Sequence, residues 1–305
     1  MEERSFKSKG LRVLTNHKSM NHYWQSSISS SHKILIGSTT ALFLVSSVAA
    51  WKFHKLPSPS SIAHRRHNSS LSNNMPFSST SKASADLLTP AEQKTRKIWN
   101  SFANGYSKQP IPDPAAYQTK LDMTTPLLTP TSRVLEIGCG TGGTALYHAP
   151  KVQQITAIDV SSRMIEIARV KAQETEVTNV DFQCAGIDSF LDNHLAKQTN
   201  EPPDVVLALS ILHLLPNKND VLAKIHASLR PGGYLVSSTT CMGDFARVVA
   251  AMIKPFTWMG FMPTLNVFTK VELRQSMEDA GFVIEEEFHP GKDKAVFLIA
   301  RKKME

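Results

Sequence analysis

The residues best placed to do chemistry lie in Val134-Leu135-Glu136-Ile137-Gly138-Cys139-Gly140-Thr141-Gly142-Gly143, where an apolar run breaks into glycines at alternate positions. Glycines at 138, 140 and 142 permit a left-handed backbone and the close approach of a ligand that a Cβ would block. Gly143 opens a helix through Thr144, Ala145, Leu146 and Tyr147, whose first amides can face a polar or anionic group. A second apolar run, Gln154 to Asp159, ends in a carboxylate 21 residues after Gly138, which suits ribose hydroxyls. The chemistry implied is the binding of a nucleoside-containing cofactor. Its identity stays open at this point, because Gly138, Gly140 and Gly143 also satisfy the G-x-G-x-x-G spacing of dinucleotide-binding folds. Asp159 could instead cap a helix beginning near Ser161.

Four motifs in order separate these readings. Beyond the glycine turn and Asp159, Pro203-Asp204-Val205-Val206-Leu207-Ala208-Leu209-Ser210 reads as a strand, and Leu229-Arg230-Pro231-Gly232-Gly233 as a turn into another. From about Thr89 to the C-terminus the chain resembles the class I methyltransferases that use S-adenosylmethionine. The resemblance implies that Glu136 serves the methionine amino group and that Gly138, Gly140 and Gly142 form the E-x-G-x-G-x-G loop. It also implies that Asp159 holds the ribose diol. Cys139 and Thr141 in the loop, Val160 and Met164 after the second strand, and Leu209 and Ser210 after the fourth complete the implied cofactor-binding set. Cys139 is expected to pack beside the ligand and not to act as a nucleophile, since no activating His or Lys is adjacent. The Pro231-Gly232-Gly233 turn is assigned no chemistry.

The adenine-binding part departs from the family pattern. Many relatives carry an Asp four residues beyond the aromatic of the third strand; here that aromatic is Phe182 and the position is Gly186. Asp188 is one substitute and Ile187 an apolar contact for the ring, although Asp188 could equally cap a helix from about Ser189. Near the start, Thr89-Pro90-Ala91-Glu92 is a capping box with Pro at the first helical position. In the family a helix here closes over the cofactor, and Tyr106 either touches the methionine end or packs on the sheet.

The elements that must position these residues alternate. Asp113-Pro114 starts a second helix through Tyr117 and Leu121. Strands are expected at 133–137, 154–159, 179–184, 204–209 and 233–240, and helices at 143–149, 161–174, 188–196 and 217–228. Such alternation means a parallel sheet with helices on both faces. Thr269-Lys270-Val271-Glu272 starts a last helix, stopped by Gly281, and the β-rich runs 282–288 and 295–300 should form an antiparallel hairpin. The expected fold is α/β, a Rossmann-like doubly wound seven-stranded sheet, mostly parallel with a C-terminal antiparallel hairpin and helices on both faces.

Composition divides the chain. Residues 1–85 carry 11 Lys or Arg against Glu2 and Glu3, a charge of +9, whereas 86–305 carries 23 against 24 acids, a charge of −1. A nearly neutral domain argues against a nucleic-acid partner, which needs basic residues clustered to meet phosphates. The Ser-rich tail 1–85 encloses the uncharged run Ile34 to Trp51, just long enough to span a bilayer, with Lys33, Lys52 and Lys55 flanking it. The expected organisation is this tail with a single-pass anchor at 34–51, a linker over 56–82, and an enzyme domain over 86–305 on the cytosolic or matrix side. A cleaved mitochondrial presequence is the competing reading of the tail. Three cysteines without C-x-x-C spacing indicate neither a zinc site nor a disulfide framework.

The segment from Cys241 to Phe268 is expected to form the acceptor side of the pocket. Its apolar residues, among them Phe245, Met252, Phe256, Met259 and Met262, recur at near-helical spacing, which is equally a core pattern. A small hydrophobic acceptor, quinone-like or lipid-like, follows from its place at the carboxyl edge of the sheet. His213, after the fourth strand, is the candidate catalytic base, with a packing residue between leucines as the alternative. The expected function is methyl transfer from S-adenosylmethionine to such an acceptor, with resemblance to the ubiquinone and menaquinone methyltransferases. A nicotinamide-dependent oxidoreductase and a non-catalytic assembly factor on a membrane are the alternatives.

Overall fold

The computed structural model describes residues 88–196, 201–244, 251–252, 255–257, 259, 262–291 and 293–304. The tail with its apolar run at 34–51, the linker, and Phe245 lie outside these residues. No helix among those described is long and apolar enough to cross a membrane.

Seven strands form one sheet: β1 (Arg133–Ile137), β2 (Gln154–Asp159), β3 (Val180–Cys184), β4 (Val205–Leu209), β5 (Tyr234–Thr239), β6 (Phe282–Phe288) and β7 (Val296–Lys302), in the spatial order β3-β2-β1-β4-β5-β7-β6. The first five pair in parallel, and β7 runs antiparallel to both β5 and β6. The expected hairpin is present, but it folds back so that its second strand enters the sheet and its first becomes the edge. Composition explains this order. Val296-Phe297-Leu298-Ile299-Ala300 is buried on both faces, while Glu285, Glu286 and Glu287 of β6 are exposed, as an edge strand favours.

Helices cover both faces. The core beneath α5 (Ile187–Ala196), α6 (Lys218–Ser228) and α7 (Lys270–Asp279) includes Leu135, Ile137, Val206, Ala208 and Leu235. The opposite core, with α3 (Gly143–His148) and α4 (Ser162–Glu174), takes the alternate strand residues Val134, Ile155, Ala157, Val205, Leu207 and Val236. Side chains that alternate between two apolar layers are the period-two signature of a sheet buried on both sides.

Two N-terminal helices lie over the carboxyl ends of the strands. The first, α1 (Pro90–Tyr106), begins with the Thr89–Glu92 capping box read from the sequence, with both reciprocal bonds formed. Asn100 Oδ1 accepts from Ser161 Oγ at 2.7 Å and from the Arg163 N–H at 3.2 Å, which latches α1 to the start of α4. The second, α2 (Pro114–Thr124), is capped by Asp113 and is fastened to α3 by Tyr117 Oη and Thr144 Oγ1 at 3.1 Å.

Candidate active site

The turn after β1 is built by three left-handed glycines, but each does a different job. At Gly138 (φ 69°) a Cβ would meet Ile211 at 2.9 Å, and at Gly142 (φ 76°) it would meet Phe182 at 2.7 Å and Ala168 at 2.9 Å. Both glycines therefore let the turn sink into the protein's own packing. Only at Gly140 (φ 52°) is the space open, the nearest atom being Tyr106 Cε1 at 3.9 Å. The left-handed backbone expected at all three positions is present, and Gly138 and Gly142 are also demanded by the packing of Ile211, Phe182 and Ala168.

Asp159 binds this turn together. Its Oδ2 accepts from the Gly140 N–H at 3.0 Å and its Oδ1 from the Ser161 N–H at 2.8 Å. The cap of α4 is Ser161, whose Oγ accepts from the Met164 N–H, so Asp159 is not the helix cap. Each oxygen retains a second lone pair for a ligand hydroxyl. Burial raises the Asp159 carboxyl to about 6, and the two amides oppose that rise.

Glu136 stands behind the turn on β1 and is 3% exposed. Its Oε2 is buried and accepts no hydrogen bond from the described residues. Burial first, then the Asp159 charge, pushes its carboxyl up to about 8, against the Ala145 N–H that lowers it. Two electrostatically coupled acid groups, one with an orphaned oxygen, fit a cationic ligand that would favour their ionised forms: a buried unpaired acceptor is costly until a donor reaches it.

The other expected residues are distributed around this centre. Thr141 Oγ1 accepts from Lys171 Nζ at 3.0 Å, and Cys139 is buried with its thiol held well above its usual range by burial. Val160 is half-buried and its carbonyl accepts from Cys184 Sγ, whereas Met164 is 2% exposed at the start of α4. Ile187 opens α5 and packs on the core. Asp188 is committed elsewhere: both its oxygens accept from Asn217 Nδ2, at 2.9 and 3.0 Å, and one pairs with Lys224. The helix α5 starts at Ile187, so Asp188 lies in its first turn and does not cap it. Leu209 ends β4, and Ser210 after it is exposed with φ 58°, a strained conformation for a residue with a Cβ. His213 lies in the turn Leu212–Leu214, buried, with Nδ1 unpartnered among the described residues and its pKa lowered by burial to about 4.

Several site residues carried no signal in the sequence. Lys120 on α2 donates from Nζ to Ser238 Oγ at 2.9 Å, at the level of Leu209 on the neighbouring strand, and burial lowers its pKa. Arg96 and Asn100 on α1 reach Cys184 Sγ and Ser161 Oγ at the ends of β3 and β2. Their distance in sequence from the glycine turn hid them.

The pattern of the methyltransferase domain matches residues 110–287. The chain belongs to the methyltransferase domain family. It is a class I member, and S-adenosylmethionine is the cofactor that the family implies. A ubiquinone biosynthesis O-methyltransferase of Idiomarina loihiensis is 30% identical over 107 residues, 35% of this chain and 42% of that protein. The malonyl-[acyl-carrier protein] O-methyltransferase of Priestia megaterium is 26% identical over 208 residues, 66% of this chain and 72% of that one. A tRNA (uracil-5-)-methyltransferase homolog A of Mus musculus is 29% identical over 127 residues, 39% of this chain and 20% of that protein. The chain thus matches less than half the length of the ubiquinone relatives. Among solved structures, a putative methyltransferase of Bacillus halodurans superposes with TM-score 0.50 at 15% identity, covering 62% of this chain and all of that one. In this methyltransferase domain the orphaned Glu136 oxygen and the open face of Gly140 fit the cationic, nucleoside-bearing cofactor.

Proposed function

We propose that this protein moves the methyl group of S-adenosylmethionine to a small hydrophobic acceptor held at the carboxyl edge of β4 and β5. The observation that carries the reading is the buried Glu136 carboxylate with its unpartnered Oε2, beside the Asp159-braced turn. When bound, the cofactor supplies an activated methyl carbon with a good leaving group. Glu136 would hold the methionine ammonium, Asp159 the ribose diol, and Tyr106 would close over Gly140. The protein then has mainly to align the acceptor and exclude water.

On the acceptor side stand Ser210, Lys120 with Ser238, and the turn bearing His213. A neutral His213 can take a proton but is a weak base at a pKa near 4, and Lys120, whose pKa burial lowers, is a second polar group on this side. The exposed Met252, Phe256 and Met259 support an apolar acceptor, because flexible thioethers and rings make an adaptable apolar wall. The quinone-pathway relatives support a quinone-like one. The basic tail and its apolar run at 34–51 support membrane attachment, with the domain on the cytosolic or matrix side. A nicotinamide enzyme is disfavoured by the antiparallel β7 between β5 and β6, where the dinucleotide fold has a sixth parallel strand.

The test is transfer of labelled methyl from S-adenosylmethionine to polyprenylated catechols, fatty acids and water-soluble catechols. Label in the organic-extractable products is expected. Label only in the water-soluble products removes the hydrophobic acceptor, and no transfer despite cofactor binding favours an assembly role.

A further inference from the structure

Gly186 follows β3 at the position where the family resemblance implies an acid, and its backbone is not left-handed. What excludes a side chain there is Glu92 of α1. A Cβ on Gly186 would lie 1.9 Å from Glu92 Oε1 and 2.2 Å from its Cδ, so the carboxylate of a distant helix fills the space of the missing side chain. The location matters. Asp159 pairs with Cys184 in the sheet, and the Ala185 N–H donates to the Asp159 carbonyl at 3.0 Å, so the end of β3 and Gly186 lie next to the acid proposed to hold the ribose.

The two oxygens of Glu92 are unequal. Oε2 accepts from the Thr89 N–H at 2.9 Å, from Thr89 Oγ1 at 3.0 Å and from Ser189 Oγ at 3.2 Å. Oε1 is buried and accepts nothing from the described residues. A capping box needs only the first oxygen. A buried acceptor without a donor marks a missing partner, and the exocyclic amino group of adenine is a donor. Asp188, the nearest other acid in sequence, is held by Asn217 and Lys224.

We propose that Glu92, carried in by α1, reads the adenine amino group in place of the acid absent at position 186. The inference rests on the S-adenosylmethionine reading of the crevice. It makes α1 a specificity element for the base as well as a cover.

The test is calorimetric binding of S-adenosylhomocysteine and of its hypoxanthine analogue, S-inosylhomocysteine, to the full chain. The analogue presents an acceptor where adenine presents a donor. Wild type should prefer the adenine ligand by about ten- to a hundredfold, the range for a hydrogen bond to a charged group. In Glu92→Gln the three donors around Oε2 still require an oxygen there, which leaves the amide NH2 in the place of Oε1. The capping box persists and the preference should fall to parity or reverse. The double variant Glu92→Ala with Gly186→Asp should restore selectivity for adenine. An unchanged preference in Glu92→Gln, with only a lower melting temperature, would reduce Glu92 to a helix cap and overturn the inference. A wild type that binds neither ligand would sink the cofactor reading itself.

Discussion

The Gly140 N–H donates to Asp159 Oδ2 at 3.0 Å, so the acid that ends β2 braces the turn that ends β1. One carboxylate thereby sets the loop and faces the ligand. Asp159→Ala should lower affinity for S-adenosylhomocysteine by about a hundredfold, since it removes the loop brace together with the ribose acceptors. Calorimetry reads the affinity, and a loss below threefold would separate Asp159 from the site.

Glu136 predicts a proton linkage. Its carboxyl titrates near 8 in the folded protein against 4.5 when unfolded. Between those values the folded state holds a proton that the unfolded state has lost, so this residue makes stability fall as pH rises from about 5 to 8. Glu136→Gln should flatten that part of the ligand-free melting curve. A ligand ammonium would draw Glu136 into its ionised form, so binding at pH 7 should release up to about one proton, seen as a buffer-dependent binding enthalpy. Equal enthalpies in phosphate and Tris would contradict this.

The glycines of the turn should separate folding from binding. Gly142→Ala combines a left-handed backbone with a Cβ driven into Phe182 and Ala168, and should cost roughly 3 kcal/mol or more. Gly140→Ala meets only the backbone strain, about 1–2 kcal/mol, and should instead weaken cofactor binding, because its Cβ enters the open crevice. Denaturant melts paired with binding measurements distinguish the two; equal stability losses would refute the division.

Two buried histidines predict acid lability. His148, fully buried with both ring nitrogens unpartnered among the described residues, is lowered to about 3 by burial and then by Lys151, and His213 to about 4 by burial. Both stay neutral in the folded state where the unfolded chain protonates them near 6.5, so their cost appears as pH falls below that value. His148→Phe should reduce the loss of stability between pH 6.5 and 4. An unaltered pH slope would show that His148 is protonated or solvated in the native state.

Local patterns made much of this legible. The apolar runs, the capping boxes at Thr89 and Thr269, and the glycine turn are short-range signals, and the structure places strands and helices on them within a residue or two. Long-range choices were not legible. The spacing of two β-rich runs implied a hairpin but not that β7 would pair with β5, which follows from burial of Phe297 and Leu298 on both faces. Similarly, the packing demand on Gly142 was hidden because the Phe182 ring that makes it comes 40 residues later. Glu92 read as half of a capping box; its approach to Gly186 exists only once α1 is laid across the sheet.

If the turn from Gly138 to Gly142 cradles S-adenosylmethionine, a thermal-shift comparison of S-adenosylhomocysteine with NAD will show it. At a hundredfold excess over its dissociation constant a specific ligand adds about 2.7 kcal/mol. The predicted result is a rise of several degrees with S-adenosylhomocysteine, none with NAD, and only about 0.4 kcal/mol of stabilisation left in Asp159→Ala at the same ligand concentration. A rise with NAD and none with S-adenosylhomocysteine would contradict the account.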